Sequence, residues 1–597
     1  MKTNGIKRLG YWATLYVGLL LSASAYGQIL SGQGLSCGAS ATSITTLQRL
    51  PQPERAPNPV EVEATVTAVF DELRGFFLME SKDEAHFDNV SRGIFVYTGR
   101  KPVAVAAGDR LRVRGRVTDY YEQRQIQPVA VTRCAAGQDI EPMVVTFPLP
   151  PADQRQHWQS MWVTLPQPLT VIDHYNLLRF GSFVVAASPQ QIPTQIMPPG
   201  AEAKRKWQQQ DEQRLIIDDG SHRTPALPVP YPAPKLTSSR TLRLGDTVDG
   251  VTGILAWSFN QWRLHPTAPP RFLHQPRPAA LPSPADGQIR LATFNVENYF
   301  SGRSGFPTAR GARSAQQLQW QEKKLAAALR GIQADIIALA EVENNGLDEQ
   351  SAIARLTRLL GDQWHYARPP GNQVGSDAIS VAVIYRADRV QQRGQAKVLT
   401  DSPFNRHSRV PLAATFQLNG GQQSITVVAN HFKAKTGCPS DQLSPDWDQD
   451  DGQGCWNSTR TQSARALVPW VQKIQRQHDA SAVALMGDFN AYAQEDPIRY
   501  FQQQGFSGVL DPTSLEQITY GFRGRLGTLD YILINGDQSV INVERAGVWD
   551  INAREPRALG YASADLDASL LAPTPYRSSD HNPVWADIRM SARTAND

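Results

Sequence analysis

An aspartate and a histidine, Asp580 and His581, stand side by side near the end of the chain in the segment SSDHNP at 578–583, and an apolar run begins directly after it at Val584. A carboxylate in this position could hold a metal ion, and an imidazole could move a proton or stabilise a phosphate. Asp-His dipeptides also occur in ordinary exposed loops, so the pair is informative only if other polar side chains converge on it.

Acidic, amide and imidazole side chains also follow earlier apolar runs in the C-terminal half. Each stands at or near a predicted strand end, from which it can point out of a sheet edge. Carboxylate and amide oxygens are the hard ligands that magnesium and manganese take, and the sequence has no Cys/His spacing typical of zinc. These groups are Asn295, Glu297, Glu341, Asn430, His431, Asp488, Asn490 and Asp530, with Asp580 and His581 completing the set.

The apolar runs that carry these side chains alternate with amphipathic segments that predict helices. Ser314 is placed to cap the first helix and Gly331 to end it. Mixed strands and helices with many hairpin-length connections predict a four-layer α/β sandwich, two packed β-sheets flanked by helices, over residues 289–592. The predicted strands are 289–294, 336–339, 379–385, 413–416, 425–429, 482–486, 529–534 and 584–588, and the predicted helices are 314–330, 351–360 and 460–475.

The N-terminal half instead shows short strands with period-two alternation, clearest over residues 60–70. It predicts two small all-β modules, 58–150 and 155–268, the second with an inserted polar segment at about 195–240. A Pro-rich linker, 269–288, follows them. The modules resemble OB-folds, so the class as a whole is α+β. Their aromatics, Tyr120, Tyr121, Trp257, Phe259 and Trp262, could stack on the bases of a single strand or belong to the core of a spacer.

The first residues predict an export signal over 1–27. Lys2, Lys7 and Arg8 precede an apolar run, and small residues stand before a cleavage point at Gln28. A loose leader, 28–57, follows. Removing the signal lowers the formal charge of +4 by these three charges, to +1. A nearly neutral protein is not a basic nucleic-acid coat, so any polyanion binding must come from a local patch or a metal.

Four cysteines after an export signal predict two disulfides, and three pairings are possible. We favour Cys37–Cys134 with Cys438–Cys455, because this scheme links each half of the chain separately. The loop between the second pair carries five aspartates. It could repel phosphate, bind calcium, or be a solvated loop tied by its disulfide.

The order of the polar residues, with the segments GDFN at 487–490, LDY at 529–531 and SDHNP at 579–583, resembles the endonuclease/exonuclease/phosphatase superfamily. Pancreatic-type deoxyribonucleases and abasic-site endonucleases have this fold. The segments EVEN at 341–344 and NHFK at 430–433, together with the paired β-modules, more narrowly resemble secreted ExeM-type endonucleases. The catalytic resemblance covers about 289–592.

The resemblance implies a metal site and a water-positioning pair. Asp488 and Asn490 would orient the attacking water from one side of an extended segment. The cation would be Mg²⁺ or Mn²⁺, with Ca²⁺ as a further candidate. It would stabilise the negative charge that a phosphodiester gains in its transition state. The metal ligands would be Glu341, Asn295, Glu297 and Asp580.

The resemblance also implies two histidine–carboxylate pairs, in which the acid fixes the tautomer of the imidazole and raises its pKa. His581 would pair with Asp530. His431 would pair with an acid before the strand 379–385, and Asp377 is the best-placed residue.

Basic residues between the predicted strands could contact the phosphates of a substrate, or they could serve surface solubility. The segment holds Arg386, Arg389, Arg393, Lys397, Arg406, His407 and Arg409. Arg406, Arg409 and Lys433 are the substrate-binding candidates.

These features predict a secreted, extracellular or periplasmic endonuclease that cuts DNA, and RNA as a further substrate, by direct water attack. We expect a monomer without stable membrane association. One alternative keeps the site and acts on phospholipid or nucleotide phosphoesters; the lack of a clear apolar hairpin in the sequence favours nucleic acid. Another is a DNA-binding matrix protein without activity, against which the intact set of polar residues argues.

Overall fold

The computed structural model describes residues 34–51, 59–100, 103–406, 408–537 and 539–591. The predicted export signal, leader residues 28–33 and 52–57, and His407 lie outside the described residues. No helix within the described ranges is long and apolar enough to cross a bilayer.

The first module is a closed five-stranded barrel in the order β1-β2-β3-β5-β4. Val60, Val62 and Val66 on β1 point inward, as the period-two pattern predicts, and Ile44 and Leu47 of helix α1 pack into the same core. The elements are α1 (Ile44–Arg49), β1 (Val60–Phe70), β2 (Gly75–Met79), β3 (Gly93–Tyr97), β4 (Arg110–Tyr120) and β5 (Gln123–Ala135).

The second module is also closed, because β10 pairs with both β11 and β7. Strand β9 falls within the segment predicted as a polar insertion; its apolar run is short and follows the charged helix α4. Strands β6 and β12 extend the sheet beyond 155–268. The elements are β6 (Met143–Val144), a 3-10 helix (Ala152–His157), β7 (Trp162–Asp173), α2 (Leu177–Phe180), β8 (Ser182–Ala186), α3 (Pro193–Ile196), α4 (Ala201–Glu212), β9 (Leu215–Asp218), β10 (Thr247–Ser258), β11 (Gln261–Pro266) and β12 (Phe272–Leu273).

The C-terminal half is the predicted four-layer sandwich. Its first sheet has the order β15-β16-β14-β13-β26-β25, and α5 and α6 pack on its outer face. The elements up to the first sheet's edge are β13 (Gln288–Tyr299), α5 (Ala315–Ile332), β14 (Ile336–Glu343), α6 (Ala352–Leu360), β15 (Trp364–Tyr366) and β16 (Ile379–Arg386).

The second sheet has the order β17-β18-β19-β20-β24-β21, and it packs on the first sheet and on α7 and α8 in one core. The remaining elements are β17 (Val390–Val398), β18 (Leu412–Leu418), β19 (Ser424–His431), α7 (Asn457–Gln477), β20 (Ala482–Asp488), α8 (Asp496–Gln503), β21 (Ser507–Gly508), β22 (Tyr520–Phe522), β23 (Arg525–Gly527), β24 (Asp530–Gly536), β25 (Ile541–Val548), three 3-10 helices (Arg557–Leu559, Tyr561–Ser563 and Ala568–Leu570) and β26 (Val584–Met590).

The predicted start of helix α5 is confirmed, and its predicted end is wrong. The Ser314 side chain accepts a hydrogen bond from the Gln317 backbone N–H, as a cap should. Gly331 does not end the helix, which continues to Ile332. A Cβ at Gly331 would lie 2.3 Å from the Trp549 ring, so this glycine allows close packing instead of ending the helix.

Both disulfides have the favoured pairing, Cys37–Cys134 and Cys438–Cys455. The loop that the second bridge closes uses its acids for structure. Asp446 accepts hydrogen bonds from the backbone and hydroxyl of Thr459 at the start of α7, and Asp450 forms an ion pair with Lys204. These contacts favour the structural interpretation of this acidic loop over a calcium site.

Candidate active site

Strand register in the second sheet brings three of the predicted site residues together. His431 on β19 is aligned with Asp488 on β20, and Asp488 is aligned with Asp530 on β24. Position 487, directly before Asp488, must be a glycine, because a Cβ there would lie 2.0 Å from the carbonyl oxygen of Asn430. The three side chains are buried, so their polar atoms need partners or a ligand.

The first sheet supplies the opposite wall. Asn295 on β13 and Glu341 on β14 lie on neighbouring parallel strands, and Asp580 and His581 come just before β26, which pairs with β13. The Ser579 hydroxyl donates to the backbone oxygen of Asn295 at 2.6 Å and fixes this approach. The strand ends of both sheets therefore converge, as the sequence predicts.

His581 and Asp530 form the predicted pair, with His581 Nδ1 lying 2.7 Å from an Asp530 carboxylate oxygen. Asp488 lies 4.0 Å from Nε2, and the three residues form a compact buried group. Burial lowers the pKa of His581, but the Asp530 and Asp580 carboxylates outweigh it and place that pKa well above its usual range. The ring is therefore charged at neutral pH.

His431 does not pair with Asp377, and this part of the prediction is wrong. Asp377 instead forms ion pairs with Arg310 at 3.0 Å and Arg409 at 3.2 Å, which satisfy its carboxylate. His431 Nε2 lies 3.7 Å from Asp488. Burial, with Arg409 and His581 nearby, holds the pKa of His431 well below its usual range, so this ring is neutral.

Three predicted metal ligands, Glu297, Glu341 and Asp580, form a second acidic group that is coupled electrostatically. Their oxygens do not all lie within 4.8 Å of one another, as the ligand atoms of Asp488, Asp530 and His581 do. Burial raises the pKa of Glu297 to about 7, with Asp580 and Glu341 adding to the shift against Arg577. Burial, followed by Asp580, also raises the pKa of Glu341. Carboxylates that repel one another in this way fit a divalent cation, which would relieve the repulsion with hard oxygen ligands. Glu297, Glu341 and Asp580 are the residues that would hold it.

Asn295 is not oriented as a metal ligand. Its Nδ2 donates to Glu341 at 3.1 Å and to Asp488 at 3.2 Å, while its oxygen accepts from the Glu297 backbone N–H. The amide bridges the two acidic groups and positions them. Several polar atoms around the site, the following four among them, are buried without a hydrogen-bond partner among the described residues, as expected where a ligand binds. The four are Asn298 Oδ1, Asn430 Oδ1, His431 Nδ1 and Asp530 Oδ1.

Asn490 does not share an extended segment with Asp488. Its backbone has a positive φ of 48°, and its N–H donates to Asp488 Oδ1 at 2.8 Å in a tight turn. The Asn490 amide donates to the Phe432 carbonyl at 3.1 Å. Burial raises the pKa of Asp488 to about 7, with Asp530 adding to the shift against His581, so Asp488 is the side chain placed to handle a proton.

A basic rim lies beside His431. Arg409 and Lys433 belong to it, and so does Arg310, which the sequence analysis missed. The Lys433 ammonium also lies 4.7 Å over the Trp456 ring. Arg406 is exposed. These cations remain candidates for contacting the phosphates of a substrate.

Two further site residues were missed. Arg577, buried and with a positive φ of 58°, lies 3.7 Å from Glu297 and donates to the Ser579 carbonyl. The Tyr520 ring lies 4.6 Å from the His581 ring at 30°. Arg577 directly precedes the SSDHNP segment and could have been found there. Nothing in the local pattern points to Tyr520.

Comparisons with known proteins bear on this arrangement. Residues 292–581 match the Endonuclease/Exonuclease/phosphatase family model. The comparison with curated proteins gave no match. Among solved structures, the human Nocturnin catalytic domain with bound sulfate is 19% identical (52% of this chain, 96% of that chain, TM-score 0.33). A mannosyl-6-phosphatase of Bacteroides thetaiotaomicron is 16% identical (50% and 99%, TM-score 0.35). TDP2 of D. rerio with a single-strand DNA product is 14% identical (51% and 99%, TM-score 0.32).

The matched region contains the converging strand ends from Asn295 to His581. They include the His581–Asp530 pair with Asp488, whose ligand atoms could hold a metal ion, and the coupled carboxylates of Glu297, Glu341 and Asp580. Two small closed barrels precede this region. Residues 292–581 are therefore a domain of the endonuclease/exonuclease/phosphatase superfamily, a metal-dependent phosphoester hydrolase.

Proposed function

We propose that the protein is a secreted, monomeric, divalent-metal-dependent endonuclease that hydrolyses phosphodiester bonds of extracellular DNA, with RNA as a further substrate. The observation that carries the proposal is the geometry of His581 in the matched domain, with Nδ1 2.7 Å from Asp530 and Nε2 4.0 Å from Asp488. This arrangement places a positive charge beside a carboxylate that can accept a proton.

Each of the site residues has a separate role in the proposed hydrolysis. Asp488 accepts the proton of the attacking water as its oxygen bonds to phosphorus, and charged His581 offsets the negative charge that develops on the phosphate. The P–O bond to the leaving oxygen then breaks, and that oxygen takes a proton from solvent. Neutral His431 lies between Asp488 and Glu341 and can donate a hydrogen bond to a phosphate oxygen. A divalent cation bound by Glu341 and its neighbouring acids would add Lewis-acid stabilisation of the same charge.

A nucleic-acid substrate is supported by the cationic rim of Arg310, Arg409 and Lys433, which suits a chain of phosphates. Export is supported by two disulfides and by the predicted signal sequence. One feature suits the phospholipid alternative: Phe259 is 86% exposed at the tip of the β10–β11 hairpin, where it could enter a membrane surface.

Plasmid cleavage by the purified oxidised protein tests this function. We expect nicking with Mg²⁺ or Mn²⁺ and none in EDTA, because the acidic group needs a cation. Parallel assays with Ca²⁺, RNA, phosphatidylcholine vesicles and a nucleoside monophosphate separate the alternatives. Cleavage of vesicles or monoester without cleavage of either nucleic acid would contradict the proposal, and so would metal-independent nicking.

The pH dependence gives a second test. Asp530 holds the pKa of His581 high, so Asp530→Asn should lower that pKa. A reaction that needs the charged ring is retained below the pKa of His581 and lost above it. The alkaline limb of the kcat/KM profile should therefore move to lower pH by roughly one unit or more. Initial rates over a pH series check this, with exposed Asp511→Asn as the control. If the alkaline limb does not move, a group other than His581 causes the loss of activity at high pH.

A further inference from the structure

The connection between β8 and β9 of the second barrel leaves its own sheet and contacts the catalytic domain. We name residues 190–214 the docking segment; it includes α3 and α4. Backbone hydrogen bonds join it to β23, from Leu526 N–H to Gln190 O at 2.8 Å and from Ile192 N–H to Leu526 O at 2.9 Å. The barrel thus pairs with the hairpin β22–β23 through one parallel bridge, between Gln191 and Leu526.

Side chains of α4 hold the same hairpin through Arg525, which is fully buried. Its guanidinium donates to Gln210 at 2.6 Å and to Asp211 at 2.8 Å, and it lies 3.8 Å over the Trp207 ring. A buried guanidinium requires all of these partners, because an unpaired charge away from water is costly. The docking segment therefore fixes where the hairpin lies.

The hairpin leads directly to the catalytic pair. The Thr519 hydroxyl, just before β22, accepts from the backbone N–H groups of Leu529 and Asp530 at 3.0 and 3.2 Å. The Thr519 carbonyl accepts from the Asn582 N–H at 2.9 Å, next to His581. Tyr520, the first residue of β22, covers one face of the His581 ring at 4.6 Å.

A second contact reaches the loop after Asp488 and Asn490. Ile192 packs with Tyr492 and Leu529 in a small buried cluster. The Thr194 hydroxyl donates to Glu495 at 2.8 Å, and this fully buried acid also binds Lys435, four residues after His431. The docking segment thus touches the loops that follow His431 and Asp488 and the segment that precedes Asp530. It reaches His581 through Thr519 and Tyr520.

We propose that the docking segment is a positioning element of the catalytic site, which acts through hairpin β22–β23 and holds Tyr520 against His581. The ring stack and the Asp530 pair together leave the imidazole one orientation, with Nε2 toward Asp488. The inference rests on the proposed phosphodiester hydrolysis. It gives the second barrel a role in catalysis that is independent of any binding by its exposed aromatics.

The test weakens the contact of α4 with Arg525 by Trp207→Ala combined with Asp211→Ala, which removes the ring and the carboxylate and leaves the Gln210 hydrogen bond. We expect kcat for DNA cleavage to fall by roughly tenfold or more, with KM within about twofold, because a small misplacement of a catalytic group is costly in rate. The matched control is Glu202→Ala with Lys206→Ala, two exposed positions on the same helix. An unchanged kcat, or an effect on KM alone, would overturn the inference.

Two further comparisons separate positioning from a loss of folding. Tyr520→Phe keeps the ring and should retain more kcat than Tyr520→Leu, with similar melting temperatures. In a His581→Ala background the Trp207/Asp211 substitutions should lower the residual rate little further, since the group they position is gone. Equal rates for the two Tyr520 variants, or the same fold-loss in both backgrounds, would count against the proposal.

Hydrogen exchange supplies a readout that does not need activity. In the Trp207/Asp211 variant, amides in peptides covering 519–527 and 580–582 should exchange faster than in the wild type, while those of the first barrel should not change. If the wild type cleaves DNA and neither kcat nor exchange responds, the inference fails and the proposed function stands. If the wild type cleaves no phosphoester but exchange at 580–582 responds, the function fails and the positioning stands.

Discussion

His581→Ala is expected to lower kcat for DNA cleavage by roughly 100-fold or more. The physical reason is charge: Asp530 and Asp580 hold the His581 pKa high, so the substitution removes a positive charge from a buried site facing Asp488. KM should change little, because the charge matters most when the phosphate gains negative charge in the transition state. Initial rates at saturating plasmid, with Mg²⁺ fixed, measure this.

The substitution also leaves the Asp530 carboxylate buried without its imidazole partner, so stability must be followed beside activity. The matched control is His222→Ala, an exposed histidine in the second barrel. His581→Gln keeps a hydrogen-bonding side chain without the charge, and it should be nearly as inactive as alanine. A glutamine variant with wild-type kcat would show that the charge is dispensable, and equal nicking by the alanine variant would indicate a contaminating nuclease.

The parts of the site that the sequence predicts are those set by strand periodicity and by order along the chain. Periodicity predicts buried strands with polar residues at their ends, and His431, Asp488 and Asp530 are such residues, aligned by register in the second sheet. The His581–Asp530 pair was implied by the resemblance to the superfamily and not by any local pattern.

The wrong predictions concern side chains whose partners come from distant parts of the chain. Asp377 is drawn away from His431 by Arg310 and Arg409, and no local signal shows that these arginines lie there. Asn490 turns to a positive φ because Asp488 accepts its N–H, so the assumption of an extended segment fails. In each case a specific hydrogen bond or ion pair, and not the spacing along the chain, decides where the side chain lies.

The docking segment was beyond prediction for the same reason. Most of its sequence lies in the polar segment predicted as an insertion at about 195–240, yet its glutamines make hydrogen bonds to residues more than 300 positions away or to one another's backbone. These residues are Gln190, Gln195 and Gln210. In a sequence, polar side chains that contact another part of the protein cannot be distinguished from polar side chains that are exposed to water. The buried Arg525 is the clearest sign of the contact, since a fully buried guanidinium needs partners.

Glu341→Gln is expected to raise the Mg²⁺ or Mn²⁺ concentration for half-maximal activity by roughly 100-fold or more. The change keeps the shape of the side chain and removes one charge from the acidic group with Asp580 and Glu297. Burial and Asp580 already raise the pKa of Glu341, so removing the charge offsets part of the cost of losing one of the two hydrogen bonds that its oxygens accept, from the Asn295 amide and the Asn298 backbone N–H. Melting curves with and without Mn²⁺ report binding directly, because a ligand of the folded state raises the melting temperature.

The matched control for this prediction is Glu343→Gln, two residues along the same strand. Glu343 accepts hydrogen bonds from Ser301 and Asn345 and lies outside the acidic group, so its variant should keep the wild-type response of melting temperature to Mn²⁺. If Glu341→Gln also keeps that response, the cation is held elsewhere, and the Asp488, Asp530 and His581 group becomes the alternative. Loss of the Mn²⁺ response in Glu341→Gln alone would place the cation at the first-sheet wall, where Glu341 and Asp580 lie.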